Sequence, residues 1–303
     1  MPGSGLHHTN PQDAGAQSPM ALQIHAGTLA PGLYPVATPI GNLRDITLRA
    51  LDVLSSADLV LAEDTRRARI LLTAYGLKPK LDAYHDHNVA EKLPGVIKKI
   101  KSGQAVALIS DAGTPLINDP GYKLTRACIE EDIPVIAVPG ASAPLAALVS
   151  SGLPPDRFLY LGFLPPKQAA RRGVLARTSD VPATLIFFET ARRIERTLSD
   201  MADIMPERQI VIARELTKKY EEILRGSADT LLERVKQTPL RGEIVLLAGP
   251  PDTTTVWSEA RIRAELAPLI KTEGVKQAAN LVAKRAGVKK RDVYQIALQM
   301  KNE

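Results

Sequence analysis

The stretch Ala105–Gly121 reads AVALISDAGTPLINDPG. Five apolar residues, Ala105–Ile109, run straight into Ser110–Gly121, which holds two glycines, two prolines and two aspartates. An apolar run of this length, bounded by turn residues, predicts a buried strand that ends in a shaped loop. Asp111 and Asp119 repel anions, and the loop lacks the lysine and the glycine spacing of a phosphate cradle. Carboxylates and bare backbone groups suit hydroxyls, amines or a cation instead.

The same texture recurs on both sides of this stretch. Leu33–Ala37, Asp58–Ala62, Leu81–Tyr84 and Val135–Val138 are further apolar runs, with helical patterns near Arg44–Ser55 and Thr65–Tyr75. Strands that are apolar throughout, alternating with helices, predict a mostly parallel sheet covered on both faces. After Pro154-Pro155 the pattern changes. Arg157–Leu164, Thr184–Glu189, Ile210–Arg214, Glu222–Leu224 and Glu243–Leu247 predict strands with fewer crossover-length intervals, hence a mixed sheet. The expectation is an α/β protein of two α/β domains, residues 32–150 and 151–250, with a boundary near Ser150–Pro155. Gly249-Pro250-Pro251 with Thr253–Thr255 reads as a linker to a helical tail, 258–303. There Val275–Ala286 is helical, Gly287 breaks it, and Val293, Ile296, Ala297 and Met300 resume the period. Helix, glycine, helix fits a helix-turn-helix or a plain helical hairpin docked on the body or on a second subunit.

Composition narrows the class. The 303 residues are 45% hydrophobic and 24% charged, ordinary globular values, and 4% aromatic, so the core is aliphatic. The single cysteine, Cys128, offers neither an internal disulfide nor a cysteine-based zinc site. Residues 1–31 contain no Lys or Arg and are rich in small and polar types, which predicts a disordered extension rather than a signal or transit peptide. No apolar run approaches the ~20 residues that span a bilayer. A soluble cytoplasmic protein without membrane attachment is expected. The net charge is +6, and residues 258–303 carry ten basic against five acidic residues. A basic end suits nucleic acid, or is a solvated helix surface.

In open α/β sheets ligands bind beyond the carboxyl ends of the strands. Five such ends carry polar, turn-rich segments: Thr38–Asn42, Glu63–Arg66, His85–Asn88, Ser110–Gly121 and Pro139–Ala143. Asp64-Thr65 also reads as a helix cap. His85 and His87 share a face if the strand continues, but no third ligand accompanies them, and no metal is expected. Ser142 belongs to no Ser-His-Asp arrangement and reads as a cap or a pocket wall.

Thr38–Leu43, Glu63–Arg66, Ser110–Gly121, Arg214–Lys218 and Arg241–Glu243 together resemble, in this order, the signatures of the ribosomal RNA small-subunit methyltransferase I family. These are cytidine 2′-O-methyltransferases of the tetrapyrrole-methylase superfamily, and the resemblance covers about residues 32–300. It implies S-adenosylmethionine bound between two α/β domains, a homodimer, and a cytidine in the decoding region of small-subunit ribosomal RNA as substrate. It assigns the cofactor to Asp111, Ala112, Gly113, Thr114, Ser142, Ala143, Phe188, Ala213, Glu215, Leu216, Gly242 and Glu243. The acceptor side then falls to Pro39, Gly41, Asn42, Arg66 and Asn88.

The acceptor hydroxyl must lose a proton, and Glu63, Asp64, His85 and Glu189 are the candidate bases. Arg66 is placed to hold an RNA phosphate, or to pair with Asp64. Lys167, Arg171, Arg172 and Arg177, with Lys289, Lys290 and Arg291 of the tail, would bind RNA backbone. Two other readings stand beside this one: a tetrapyrrole methylase with the same fold and cofactor, and a non-catalytic nucleic-acid-binding protein built on the helix-turn-helix.

Overall fold

The computed structural model describes residues 24–251, 257 and 259–302. The chain forms two compact units: residues up to Ala146 together with Glu215–Glu221, and Ala147–Arg214 together with Glu222 onward.

The first unit holds β1 (Gly32–Pro35), α1 (Leu48–Ser56), β2 (Leu59–Ala62), α2 (Thr65–Ala74), β3 (Leu81–Ala83), α3 (Val89–Lys101), β4 (Ala105–Ile109) and α4 (Tyr122–Glu130). It ends in the first residues of α5 (Ala143–Ser151). The sheet runs β1-β4-β2-β3, all parallel. Leu59–Ala62 and Ala105–Ile109 are buried at every position, because helices cover both faces. One core contains Val36, Leu54, Val60 and Ala107, and the other Leu33, Leu61, Leu108 and Leu124. Neighbouring residues of a strand thus point to opposite cores.

Two local departures have simple causes. The expected helix near Arg44–Ser55 splits into a short 3-10 turn, Leu43–Asp45, and α1, which starts late because Thr47 Oγ1 accepts the Ala50 N–H. The expected strand Val135–Val138 does run parallel beside β1, but only as two isolated bridges, Leu33↔Val135 and Val36↔Val138. Ile136 N donates to Leu33 O and Val138 N to Pro35 O. The bond between them would need an N–H on Pro35, which proline lacks.

The second unit holds β5 (Phe158–Phe163), α6 (Gln168–Thr178), β6 (Thr184–Thr190), α7 (Ile194–Ile204), β7 (Ile210–Arg214), β8 (Glu222–Gly226), α8 (Ala228–Gln237) and β9 (Glu243–Ala248). Its sheet is β5-β6-β9-β7-β8 and is mixed: β5 is parallel to β6, and the other pairs are antiparallel. Leu175, Phe187, Leu198, Met201, Ile212 and Leu246 centre its core. Arg208 is buried in it, its guanidinium donating to the carbonyls of Thr178, Ser179, Val181, Ala183 and Gly249. Burial brings its pKa down to about 10.

The tail is three helices rather than two: α9 (Glu259–Glu273), α10 (Val275–Ala286) and α11 (Lys290–Asn302). Ile262, Leu266, Ala279, Val282, Val293 and Ala297 make a core of the tail's own side chains. Gly287 ends α10 at φ 64, the left-handed cap that glycine adopts without cost.

Residues 24–31, assigned to the extension by sequence, run along α1. His25 N donates to Asp52, Gly27 N donates to Ser56, and Leu29 packs on the core. The rest of that extension, and most of the expected linker, lie outside the described residues. Among the described residues no helix is long and apolar enough to cross a membrane.

Candidate functional site

In the first unit the register sets the site. Ala62 of β2 pairs with Ile109 of β4, so Glu63-Asp64 and Ser110-Asp111 leave the sheet side by side. Asp111 Oδ1 accepts the Asp64 N–H at 3.2 Å, and Oδ2 lies 3.2 Å from Arg67 Nη1. On its other side the loop is tied to β1's extension. Thr38 N donates to Gly113 O at 2.8 Å and Gly113 N to Thr38 O at 3.0 Å. Thr114 Oγ1 donates to Ala141 O at 3.1 Å, which brings in the Pro139–Ala143 segment. The loops after β1, β2 and β4 and the start of α5 thus meet around Asp111–Thr114.

The glycines are shape requirements. Gly113 sits at φ 82, where a side chain would be strained, and a Cβ there would lie 3.3 Å from Ile40 Cγ2. Leu116 and Asn118 also hold positive φ, at 73° and 66°, so the far part of the loop is strained backbone.

The electrostatics single out two carboxyls. Burial, then Asp111 and Asp86, raise the Glu63 carboxyl above its usual range, while Arg67 and His85 oppose them. Burial pushes Asp119 up to about 6; a hydrogen bond with Ser110 opposes this, and Glu63 and Asp111 add to it. A raised carboxyl is a stronger base once it ionises. In the sequence Asp119 reads only as part of an acidic loop. The signal that could have marked it is its place after Leu116–Asn118, a turn that folds it back toward the strand end.

Other expected residues are otherwise engaged. Asp64 is one of the four candidate bases. It caps α2 by accepting the Arg66 N–H at 2.8 Å and also binds the Arg66 guanidinium, whose hydrogen bonds hold it far below the usual carboxylate range. Arg66, almost fully exposed, is spent on that same pair. Asn88 is one of the expected acceptor-side contacts. Its Oδ1 accepts the His85 N–H and its Nδ2 donates to Ala83 O, so the side chain closes its own loop. His85 keeps a buried Nδ1 with no partner among the described residues, its ring 6.0 Å from that of His87. Among the described residues no group of three His, Cys, Asp or Glu is placed to hold a metal.

After Thr38, Pro39 is buried, and Gly41 and Asn42 form an exposed rim. Glu215 and Leu216 pack with this unit, although β7 and β8 on either side of Glu215–Glu221 do not. Ser142 accepts the Ala146 N–H with its carbonyl at the entry to α5, and Ala143 begins that helix.

In the second unit the register gathers Phe188, Ala213, Gly242 and Glu243 at one end of the sheet. Phe188 and Ala213 both pair with Val245, and Glu243 pairs with Thr190. Glu189, another of the candidate bases, lies there too. Its side chain is fully buried, accepts from Thr197 Oγ1 at 2.7 Å and from the Thr190 N–H, and faces Arg193. Arg171, an expected RNA contact, is 3% exposed and bound to Asp200 at 2.7 Å. Arg172 pairs with Asp200 and Asp203. Lys167 remains exposed at the start of α6, and so do Lys289, Lys290 and Arg291 at the start of α11. A cavity of about 480 Å³ among α6, α7 and α8, lined by Arg171, Arg196, Ser199 and Lys236 among others, holds none of the loop carboxylates.

Comparison with known proteins matches both parts of this architecture. A family model described as Tetrapyrrole (Corrin/Porphyrin) Methylases covers residues 32–232, and one described as RsmI C-terminal HTH domain covers 258–301. Ribosomal RNA small subunit methyltransferase I of Mesorhizobium japonicum is 47% identical over 283 residues, 92% of this chain and 96% of that protein. The protein of the same description from Haemophilus influenzae is 46% identical, over 88% of this chain and 96% of its own length. Among solved structures, uroporphyrin-III C-methyl transferase from Thermus thermophilus, complexed with S-adenosylhomocysteine, shares the fold. The TM-score is 0.52 at 18% identity, over 72% of this chain and 97% of that one.

Proposed function

As the chain belongs to the tetrapyrrole (corrin/porphyrin) methylases and, within them, to the ribosomal RNA small subunit methyltransferase I family, we propose that it methylates the 2′-hydroxyl of a cytidine in the decoding region of small-subunit ribosomal RNA. The observation that carries this reading is the gathering of Glu63, Asp111 and Asp119 beside backbone-lined loops at one sheet end. When bound, S-adenosylmethionine supplies the electrophilic methyl group. The first unit fits such a group. Gly113 leaves open the space a side chain would fill, and Asp111 offers acceptors to hydroxyls and cationic ends.

Glu63 is the base of choice among the four candidates. It is partly shielded, its affinity for a proton is raised, and its carboxylate is not consumed as a cap or a buried ion-pair partner, as those of Asp64 and Glu189 are. It takes the proton of the acceptor hydroxyl, a step that contributes about 10²–10⁴-fold. The loops around Asp111 hold the reacting groups in line, an effect that reaches ~7–11 kcal/mol in favourable cases. Lys167, Lys289, Lys290 and Arg291 bind RNA phosphates. A ribosomal substrate implies a cytoplasmic location. The homodimer is supported by β5, an edge strand that exposes Phe158, Leu159 and Phe163, since long apolar edges are normally covered.

The experiment is transfer of labelled methyl from S-adenosylmethionine to isolated small subunits, to naked ribosomal RNA and to porphyrin precursors. The reading expects label in the ribosomal RNA. Label in the porphyrin alone would establish the tetrapyrrole alternative, and a protein that binds RNA without binding the cofactor would establish the non-catalytic one.

A further inference from the structure

Thr217 lies in Glu215–Glu221, the segment that joins β7 to β8 but packs with the first unit. Its Oγ1 accepts the backbone N–H of Asn42 at 3.1 Å. Asn42 in turn accepts the Arg44 N–H with its own side chain at 3.1 Å and so caps the 3-10 turn Leu43–Asp45. One hydroxyl thus anchors the end of the Pro39–Asn42 loop, and through it the turn that follows.

The approach of the two segments is tight enough to dictate sequence. A Cβ on Gly41 would lie 2.5 Å from Lys218 Cγ, 2.9 Å from Thr217 Oγ1 and 3.1 Å from Leu216 O. The strap is braced to hold this position. Lys218 N donates to Glu215 O, Glu221 N donates to Lys218 O, the Lys218 ammonium pairs with Glu215 at 2.9 Å, and Thr217 N donates to the Glu221 carboxylate. Within the brace Glu215 and Thr217 stand at φ 48 and 65. A β-branched residue is rare there and persists only where its surroundings fix it.

We propose that Thr217 is a positioning residue for the RNA acceptor: its hydroxyl fixes the Pro39–Asn42 loop in the conformation that receives the nucleotide. This rests on the reading of that loop as the acceptor side of a ribosomal RNA methyltransferase. Thr217 follows Glu215-Leu216, which that reading gives to the cofactor, so the two effects must be measured apart.

The test compares Thr217→Val, which keeps the branched shape without the acceptor, with Thr217→Ser, which keeps the hydroxyl. Three quantities are read: the KM for small subunits, the affinity for S-adenosylmethionine by calorimetry, and amide hydrogen exchange over residues 39–45. Thr217→Val is expected to raise the KM for subunits about three- to tenfold, the worth of one hydrogen bond, and to speed exchange in the loop. Cofactor affinity should stay unchanged, and Thr217→Ser should restore both quantities. A Thr217→Val enzyme with wild-type KM and exchange overturns the proposal. So does a serine variant as impaired as the valine one, or a parallel loss of cofactor affinity. A wild type that transfers no methyl to subunits overturns the reading beneath it; an active wild type beside an unimpaired Thr217→Val overturns this proposal alone.

Discussion

The carboxylate of Asp111 receives the backbone N–H of Asp64 across neighbouring strand ends, 3.2 Å from oxygen to nitrogen. That bond sets the Glu63-Asp64 turn against the Ser110–Gly121 loop and puts the Asp111 charge near Glu63. Burial first, and then that charge, make Glu63 hold its proton more tightly than a free glutamate, and once ionised it is available to remove one.

The single-turnover methyl-transfer rate should therefore rise with pH and level off, with a midpoint above the ordinary glutamate value, because only ionised Glu63 accepts the proton. Glu63→Gln should lower the rate by about 10²–10⁴-fold with cofactor affinity retained. Asp86→Asn removes one of the charges that raise Glu63 and should move the midpoint to lower pH. A midpoint that stays in place would separate the pH dependence from Glu63.

Asp119 yields a stability signature. Its folded-state value, about 6, lies above its ordinary 3.8, so the folded protein binds the proton more tightly than the unfolded chain. The associated stability is complete below about pH 4 and is lost as pH rises through about 6. Asp119→Asn should then be more stable than wild type at pH 8, by about 1–2 kcal/mol once 1.36 kcal/mol per unit is discounted for solvent screening of a partly exposed group. The gain should vanish near pH 4, in urea unfolding at the two pH values.

The strands of the first sheet were legible because burial on both faces makes Leu59–Ala62 and Ala105–Ile109 apolar at every position. The mixed second sheet was legible from intervals too short for crossovers. What escaped was set by partners distant in sequence. Nothing beside Glu189 announces that Thr197 and the Thr190 N–H will saturate it, and nothing beside Arg171 announces Asp200. The Arg208 hub is equally silent, since its partners are carbonyls, which every residue carries. In the site, the loops could be read from their turn residues, but the ranking of the carboxylates could not. Capping takes Asp64 out, and folding of the 116–118 turn brings Asp119 in.

The Arg171–Asp200 pair makes a third expectation. Burial works to raise the Asp200 carboxyl, but hydrogen bonds from Arg171, Arg172 and Gln168 outweigh it and hold the group low. Asp200→Ala strands a buried guanidinium and should cost about 3–5 kcal/mol in chemical unfolding. A loss under about 1 kcal/mol, or a change in RNA affinity without a loss of stability, would return Arg171 to the role of an RNA contact.

The tail gives a fourth. Lys289, Lys290 and Arg291 are exposed at the start of α11 on a three-helix body with its own core. Replacing all three by glutamate should weaken binding to small subunits and flatten the dependence of log K on log salt by up to about three, near one unit for each phosphate the tail no longer neutralises. Cofactor affinity should not change. An unaltered salt slope would assign the basic tail to a solvated surface.

The most direct measurement is the identity of the methylated nucleoside. Small subunits are incubated with labelled S-adenosylmethionine and either wild type or Glu63→Gln, and the ribosomal RNA is digested to nucleosides. The expected result is label in 2′-O-methylcytidine for wild type and its near-complete loss for Glu63→Gln at undiminished cofactor binding. Label on a base rather than a ribose, or undiminished label with Glu63→Gln, would contradict the account.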